Sequence, residues 1–321
     1  MRRLAAVLVC LLWLPAAVSA DSYPVRSIRL VVPYPPGGTA DPSARLLSQA
    51  LSSALGQAVI IDNRGGASGN VGAEIVANAS ADGYVLLFAS GTIFTMNPFL
   101  YKSLGFDPNA GFVPIVNFAS MPNILAVNAT VPARDLGEFT KYVKSVPENS
   151  LNYATNGQGS SQNLAMLLYM NLTQTKMKQV PYVNPGQAVL DTIANRAQAT
   201  VPLLPTVVSM VKSGKLRALA VLADKRSTAL PDVPTAAEAG LPGWMVGNFY
   251  TVMAPKGTPV SVVDKLNSEI NKLLAQPDFR QRLSDMGLTP MGGAPAAADE
   301  LIKSEASRWQ EVIKNAEIAP Q

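Results

Sequence analysis

Short apolar runs recur along the chain. Each leads into a glycine- or hydroxyl-rich turn and then a segment whose apolar positions repeat every three or four residues. Ile28–Val32 predicts a first buried strand, after which Ala44, Leu47, Leu51 and Leu55 share one helical face ending at Gly56. Residues 59–61 predict a second strand, the turn 63–70 and a helix bearing Val71, Ile75 and Val76. Residues 84–89 predict a third strand, followed by a turn at 90–98. Strand candidates at 115–118 and 124–127 flank Ser120, Met121 and Pro122, where the chain is expected to cross into a second lobe. There the alternation resumes: strands at 151–154, 179–183, 199–203 and 216–222, with helices around Phe139, Leu164, Leu190 and residues 207–211. An extended run at 244–253 returns the chain, and amphipathic helices follow at 260–274, 279–286 and 296–315. Alternating strands and helices with short turns predict an α/β protein of two lobes, each a mostly parallel sheet flanked by helices. The expected limits are residues 21–120 with 249–321 for one lobe and 121–248 for the other.

The turn PYPPGGTAD at 33–41 lies at the carboxyl end of the first strand, where open α/β sheets bind ligands. Gly37 and Gly38 let another group approach the backbone. Asp41 before Pro42 reads as an N-cap followed by a proline at the first helical position. The N–H groups of such a helix start, with the positive end of its dipole, attract an anion. A turn that binds nothing has the same signature.

The chain has 321 residues, enough for two domains, with 48% hydrophobic and 15% charged. Arg2 and Arg3, the apolar run 4–14 and Val18-Ser19-Ala20 read as a secretory signal peptide, residues 1–20, with cleavage before Asp21. The single cysteine, Cys10, follows Val9 inside that apolar run, which is not the position of a lipid-attachment cysteine. Without Arg2 and Arg3, 24 basic residues face 22 acidic ones, scattered rather than striped, and nothing points to nucleic acid. There is no histidine, which excludes Ser-His-Asp catalysis and the commonest zinc sites. No nucleophile elbow, P-loop or dinucleotide glycine pattern occurs, and Ser209 and Lys212 match S-x-x-K only by chance on a helix. What remains is hydrogen bonding from strand-end turns, which is the chemistry of a binding site.

Eight stretches in order, spanning nearly all of the chain after the signal, resemble the Bug family of periplasmic substrate-binding proteins of tripartite tricarboxylate transporters. They are YPVRSIRLVVPYPPGGTAD (23–41), NRGGASGNVGAE (63–74), ADGYVLLFAS (81–90), LNYATNGQGSSQNL (151–164), QVPYVNPGQAVLDTI (179–193), GKLRALAV (214–221), LPDVPTAAEAGLPG (230–243) and MAPKGTP (253–259). The resemblance implies a type II Venus-flytrap fold and a monomer that is not an enzyme, with no cofactor and no metal. It also implies a periplasmic protein that binds a small carboxylate between its lobes and delivers it to integral-membrane transporter subunits. One carboxylate would be held by backbone N–H groups, hydroxyls and waters. Carried over by position, the first-lobe contacts are Tyr34, Gly37, Gly38, Thr39, Ser90, Thr92 and Asn97. The second lobe contributes Thr155, Asn156, Gly157, Ser160 and Asp191. The chain departs from the family at Gln179, where a histidine is usual, at Val183 and Asn184, where a basic residue and a glycine are usual, and at Asn248-Phe249, where a tryptophan is common.

Other roles stay open at several of these positions. Ser160 serves equally as a helix cap, Asp191 as a solvated helix residue and the 63–70 turn as structure alone, while Trp244 and Trp309 read as packing. A periplasmic sensor feeding a signalling receptor, or a secreted hydrolase with a carboxylate dyad, are the competing functions. Hinges are expected near Ser120–Met121 and Asn248–Phe249.

Overall fold

The computed structural model describes residues 23–157, 160–182, 185–315, 318 and 320. The signal-peptide reading, Val183 and Asn184 lie outside them. The first lobe opens with β1 (Ile28–Val32), α1 (Ala40–Leu55), β2 (Val59–Asn63), α2 (Asn70–Ala77), β3 (Val85–Ser90) and the short α3 (Thr92–Thr95) and α4 (Asn97–Leu100). β4 (Phe112–Pro122) continues across Asn123 into β5 (Ile124–Asn128). The second lobe adds α5 (Leu136–Ser145), β6 (Asn152–Thr155), α6 (Ser161–Thr173), β7 (Lys178–Pro181), α7 (Pro185–Ile193), β8 (Ala199–Thr200), α8 (Val208–Lys212) and β9 (Leu216–Val221). β10 (Gly247–Pro255), α9 (Val260–Ala275), α10 (Pro277–Asp285), β11 (Thr289–Pro290) and α11 (Pro295–Asn315) complete the chain.

The strands form two sheets, ordered β11-β4-β10-β3-β1-β2 and β7-β6-β8-β5-β9. In the first, β1, β2, β3 and β4 run one way, and β10 and β11 run against them. In the second, only β5 opposes the rest. The expected mostly parallel sheets are therefore present. β5 and β10 are reversed because each arrives straight from the other lobe and enters its sheet from the opposite end. β10 lies between β3 and β4, paired from Gly247↔Pro122 to Pro255↔Phe112.

The inner strands β3, β5 and β10 are buried along most of their length because helices cover both faces of each sheet. Leu30, Leu86 and Phe88 pack under α1 and α9 with Leu47, Leu51, Leu266 and Ile270. Their neighbours Val31, Leu87 and Ala89 face the other way, onto Ala73, Val76, Ile93 and Phe94. In the second lobe Leu125, Val127 and Tyr153 meet Phe139, Tyr169 and Trp244. The opposite face packs Ile124, Ala126 and Val221 against Val189 and Val207. α11 belongs to both lobes: Ile302 packs on the Val31–Phe94 cluster, while Trp309 and Ile313 are buried among the second lobe's aromatics.

Candidate functional site

α1 starts two residues before the expected point. Thr39 occupies the cap position and makes no side-chain cap bond, and Asp41 is already the second helical residue. Pro42 does not fix the start at itself, because the first four N–H groups of a helix lack intrahelical partners and a proline anywhere among them loses no bond. Asp41 holds the turn instead of capping it: Arg45 Nε donates to it at 3.0 Å and Asn63 Nδ2 at 3.1 Å. The Arg45 hydrogen bond, with help from Asn63 and the Gly37 N–H and against the effect of burial, holds its carboxyl below the usual value. The Thr39 hydroxyl pairs with the Tyr250 hydroxyl at 2.7 Å. The start of α1 is thus left without a side-chain cap.

At the end of β3 the Ser90 hydroxyl meets Thr92 Oγ1 at 2.7 Å and accepts from Asn248 Nδ2 at 2.6 Å. The segment after it, expected as a turn, coils into α3 and α4. Asn97 Nδ2 then donates to Asn70 Oδ1 at 2.6 Å, and the Tyr101 hydroxyl donates to Ser68 Oγ at 2.8 Å. Ser68 has a left-handed backbone with φ of 55°, which turns this polar residue back toward α4. Burial pushes the Tyr34 phenol up to about 12, with Ser90 and Thr92 pulling the other way, so it remains a neutral donor. Its oxygen is fully buried and makes no hydrogen bond of good geometry among the described residues.

In the second lobe the turn after β6 braces itself. Thr155 Oγ1 accepts from the Gly157 N–H at 3.2 Å and from Gln179 Nε2 at 2.8 Å. Ser160 caps α6: its oxygen accepts from the Asn163 N–H at 3.2 Å, and its proton goes to the Gly157 carbonyl at 2.8 Å.

These turns enclose a cavity of about 880 Å³ between the lobes. Eight expected residues line it: Tyr34, Gly38, Thr39, Ser90, Thr92 and Asn97 from one lobe, Asn156 and Ser160 from the other. Gly37, Thr155 and Gly157 do not line it; they belong to the turns, with Gly37 exposed and Thr155 buried. Asp191 does not line the cavity either: its carboxylate takes Tyr182 Oη at 2.8 Å, Gln187 Nε2 at 2.7 Å and Arg196 Nη1 at 3.0 Å. The Tyr182 hydrogen bond leads the effects that hold its carboxyl below the ordinary range. Sequence reasoning missed Asn248 and Tyr250 of β10, Ser68, Tyr101, and an apolar wall from α7, α8 and the residues between β8 and α8. Asn248 stood out as a departure from the family, but its place beside Ser90 depends on β10 entering the sheet next to β3.

None of the described residues lining the cavity is Asp, Glu, Lys or Arg. The starts of α1 and α6 border it from opposite lobes. An anion between them would meet the uncapped N–H groups of α1, two positive dipole ends and several hydroxyls, with no countercharge among the described residues.

Residues 43–318 match the sequence profile described as the tripartite tricarboxylate transporter family receptor. The chain belongs to this family. Protein BugT of Bordetella pertussis is 35% identical over 93% of this chain and 92% of its own. Among solved structures, R. palustris Rpa4515 with adipate is 35% identical, covers 93% of this chain and 100% of its own, and superposes with a TM-score of 0.84. MatC from Rhodopseudomonas palustris with bound malate, also 35% identical, covers 91% and 100% with a TM-score of 0.77. The tripartite tricarboxylate transporter receptors are periplasmic solute-binding proteins, not enzymes. This member shares their two-lobed fold, and the dyad-hydrolase reading falls.

Proposed function

We propose that this receptor captures a small organic acid between its lobes in the periplasm, after removal of its N-terminal signal, and delivers it to the membrane subunits of a tripartite tricarboxylate-type transporter. The observation that carries this reading is the pair of helix starts, α1 and α6, bordering one uncharged cavity from opposite lobes. Site residues follow from it: Gly38 and Thr39 with the Thr39–Tyr250 hydroxyl pair on one side, and Asn156 with the start of α6 on the other. Ser90, Thr92 and Asn97 act from α3 and α4. Hydrogen bonds to a charged acceptor are worth about 1.5–3 kcal/mol each, so a few such donors suffice for micromolar binding. Carboxylate ligands in the R. palustris relatives support the same chemistry here.

Calorimetry with mono-, di- and tricarboxylates and their amides tests the capture step. At least one acid should bind, and its amide should bind at least about tenfold more weakly. Binding of amide and acid with equal affinity would overturn the reading. Delivery is tested by uptake into vesicles carrying the membrane subunits, which should depend on added receptor.

A further inference from the structure

Donors and apolar surface are not evenly mixed around the cavity. The first-lobe side and the start of α6 carry the hydroxyls, amides and helix N–H groups described above. Among the described residues, the rest of the second-lobe side presents Gly186 at the start of α7 and then Ala188, Val189, Leu190, Pro202, Leu203 and Met210. Two hydroxyls interrupt that wall, and both protons are committed: Thr200 Oγ1 donates to the Ala154 carbonyl at 3.0 Å and Thr206 Oγ1 to the Leu203 carbonyl at 2.7 Å. Leu190 is 54% exposed, an unusual state for a leucine beside a cavity.

Resting on the carboxylate reading above, the geometry points to a ligand with one carboxylate, held between the starts of α1 and α6, and an apolar body lying on the α7–α8 wall. The class is a medium-chain alkanoate or an arene carboxylate, not a di- or tricarboxylate. A second ionised carboxylate on the body of that wall would lose its water and find no free side-chain donor and no cation among the described residues there, a loss that buried charges do not recover without partners. An alkyl or aryl body gains there instead. Each methylene moved from water onto the wall tightens binding by about fourfold. Leu190 gives the same body a surface to cover.

Matched pairs test this on the full chain by calorimetry. Hexanoate and adipate have six carbons each and differ only at the far end, and terephthalate is benzoate with a second carboxylate added at the far end of the ring. Hexanoate should bind at least about tenfold tighter than adipate, and tighter than butyrate. Adipate binding as tightly as hexanoate would overturn the one-headed assignment while leaving the carboxylate reading standing. If none of these four acids binds while another acid of the carboxylate screen does, the one-headed assignment falls and the carboxylate reading stands; if no acid of the screen binds, the carboxylate reading itself falls. Leu190→Arg supplies a cation at a half-exposed position, where folding tolerates it. It should tighten adipate by at least about tenfold and weaken hexanoate. An unchanged affinity for adipate in this variant would show that the far end of the ligand lies elsewhere and would overturn the proposal.

Discussion

The hydroxyl of Ser160 has one proton, and the Gly157 carbonyl holds it. Ser160 can therefore cap α6 but has nothing to donate to a carboxylate. Ser160→Ala should cost about 1 kcal/mol of ligand-free stability and leave affinity nearly unchanged. Thr39 contrasts with it, since the Thr39–Tyr250 pair has two protons for one hydrogen bond and so keeps one for a ligand. Thr39→Val should weaken carboxylate binding about ten- to a hundredfold and also cost about 1–3 kcal/mol of stability, because it leaves the buried Tyr250 hydroxyl unpaired. Calorimetry on both variants separates the two roles, and the reverse pattern of affinities would exchange them. Asp41 sets an acid limit on stability. Its folded pKa lies below the unfolded value of 3.8, so its contribution is complete above that value and is lost as pH falls through the lower, folded one. Asp41→Asn should flatten the fall of melting temperature below about pH 4, and an unchanged slope would remove Asp41 as its source.

At the scale of elements, α2 seats the turn after β1. A Cβ added at Gly72 would stand 2.8 Å from the Pro33 Cα and 2.9 Å from the Arg64 carbonyl, both backbone atoms with little room to shift. Gly72→Ala should cost roughly 1–3 kcal/mol of stability by overpacking and weaken binding by displacing residues 34–39. Denaturant titration measures the first effect, and an unchanged midpoint would mean that the turn yields freely. Elements of this kind were legible where burial writes itself into composition. The apolar runs of β1, β3 and β5 marked strands covered on both faces, and the glycine-bearing turns after β1 and β3 marked their carboxyl ends. The partners of those ends were not legible. Asn248 and Tyr250 join the site only because β10 enters between β3 and β4, a pairing across more than a hundred residues that no local pattern records. Asp191 shows the opposite error: a carboxylate near a motif looked available, yet three donors from its own lobe already satisfy it.

For the whole molecule, two strand crossings and one helix join the lobes. Asn123 anchors the first crossing, its N–H donating to the Val246 carbonyl at 2.9 Å and its Nδ2 to the Val201 carbonyl at 2.7 Å. Because β4 and β10 stay paired to Pro122 and Gly247, bending should fall at residues 122–124 and 246–247, slightly beyond the hinges expected from sequence. A ligand gripped from both lobes favours the closed form. Small-angle scattering with a saturating carboxylate should therefore show a smaller radius of gyration, and an unchanged radius would argue against closure. α11, buried at Trp309 and Ile313 in one lobe and at Ile302 against the other, limits that closure to rotations that its own packing can follow.

The uncharged wall of the cavity also decides what the receptor does when its surroundings acidify. With no histidine in the chain and no ionisable carboxylate or amine among the described residues lining the cavity, none of those residues changes charge between about pH 5 and 8. For the acid proposed above, the proton that sets occupancy would be the ligand's own. Capture should then follow the concentration of the anion and stay constant across a pH drop, until the drop reaches the pKa of the acid being carried.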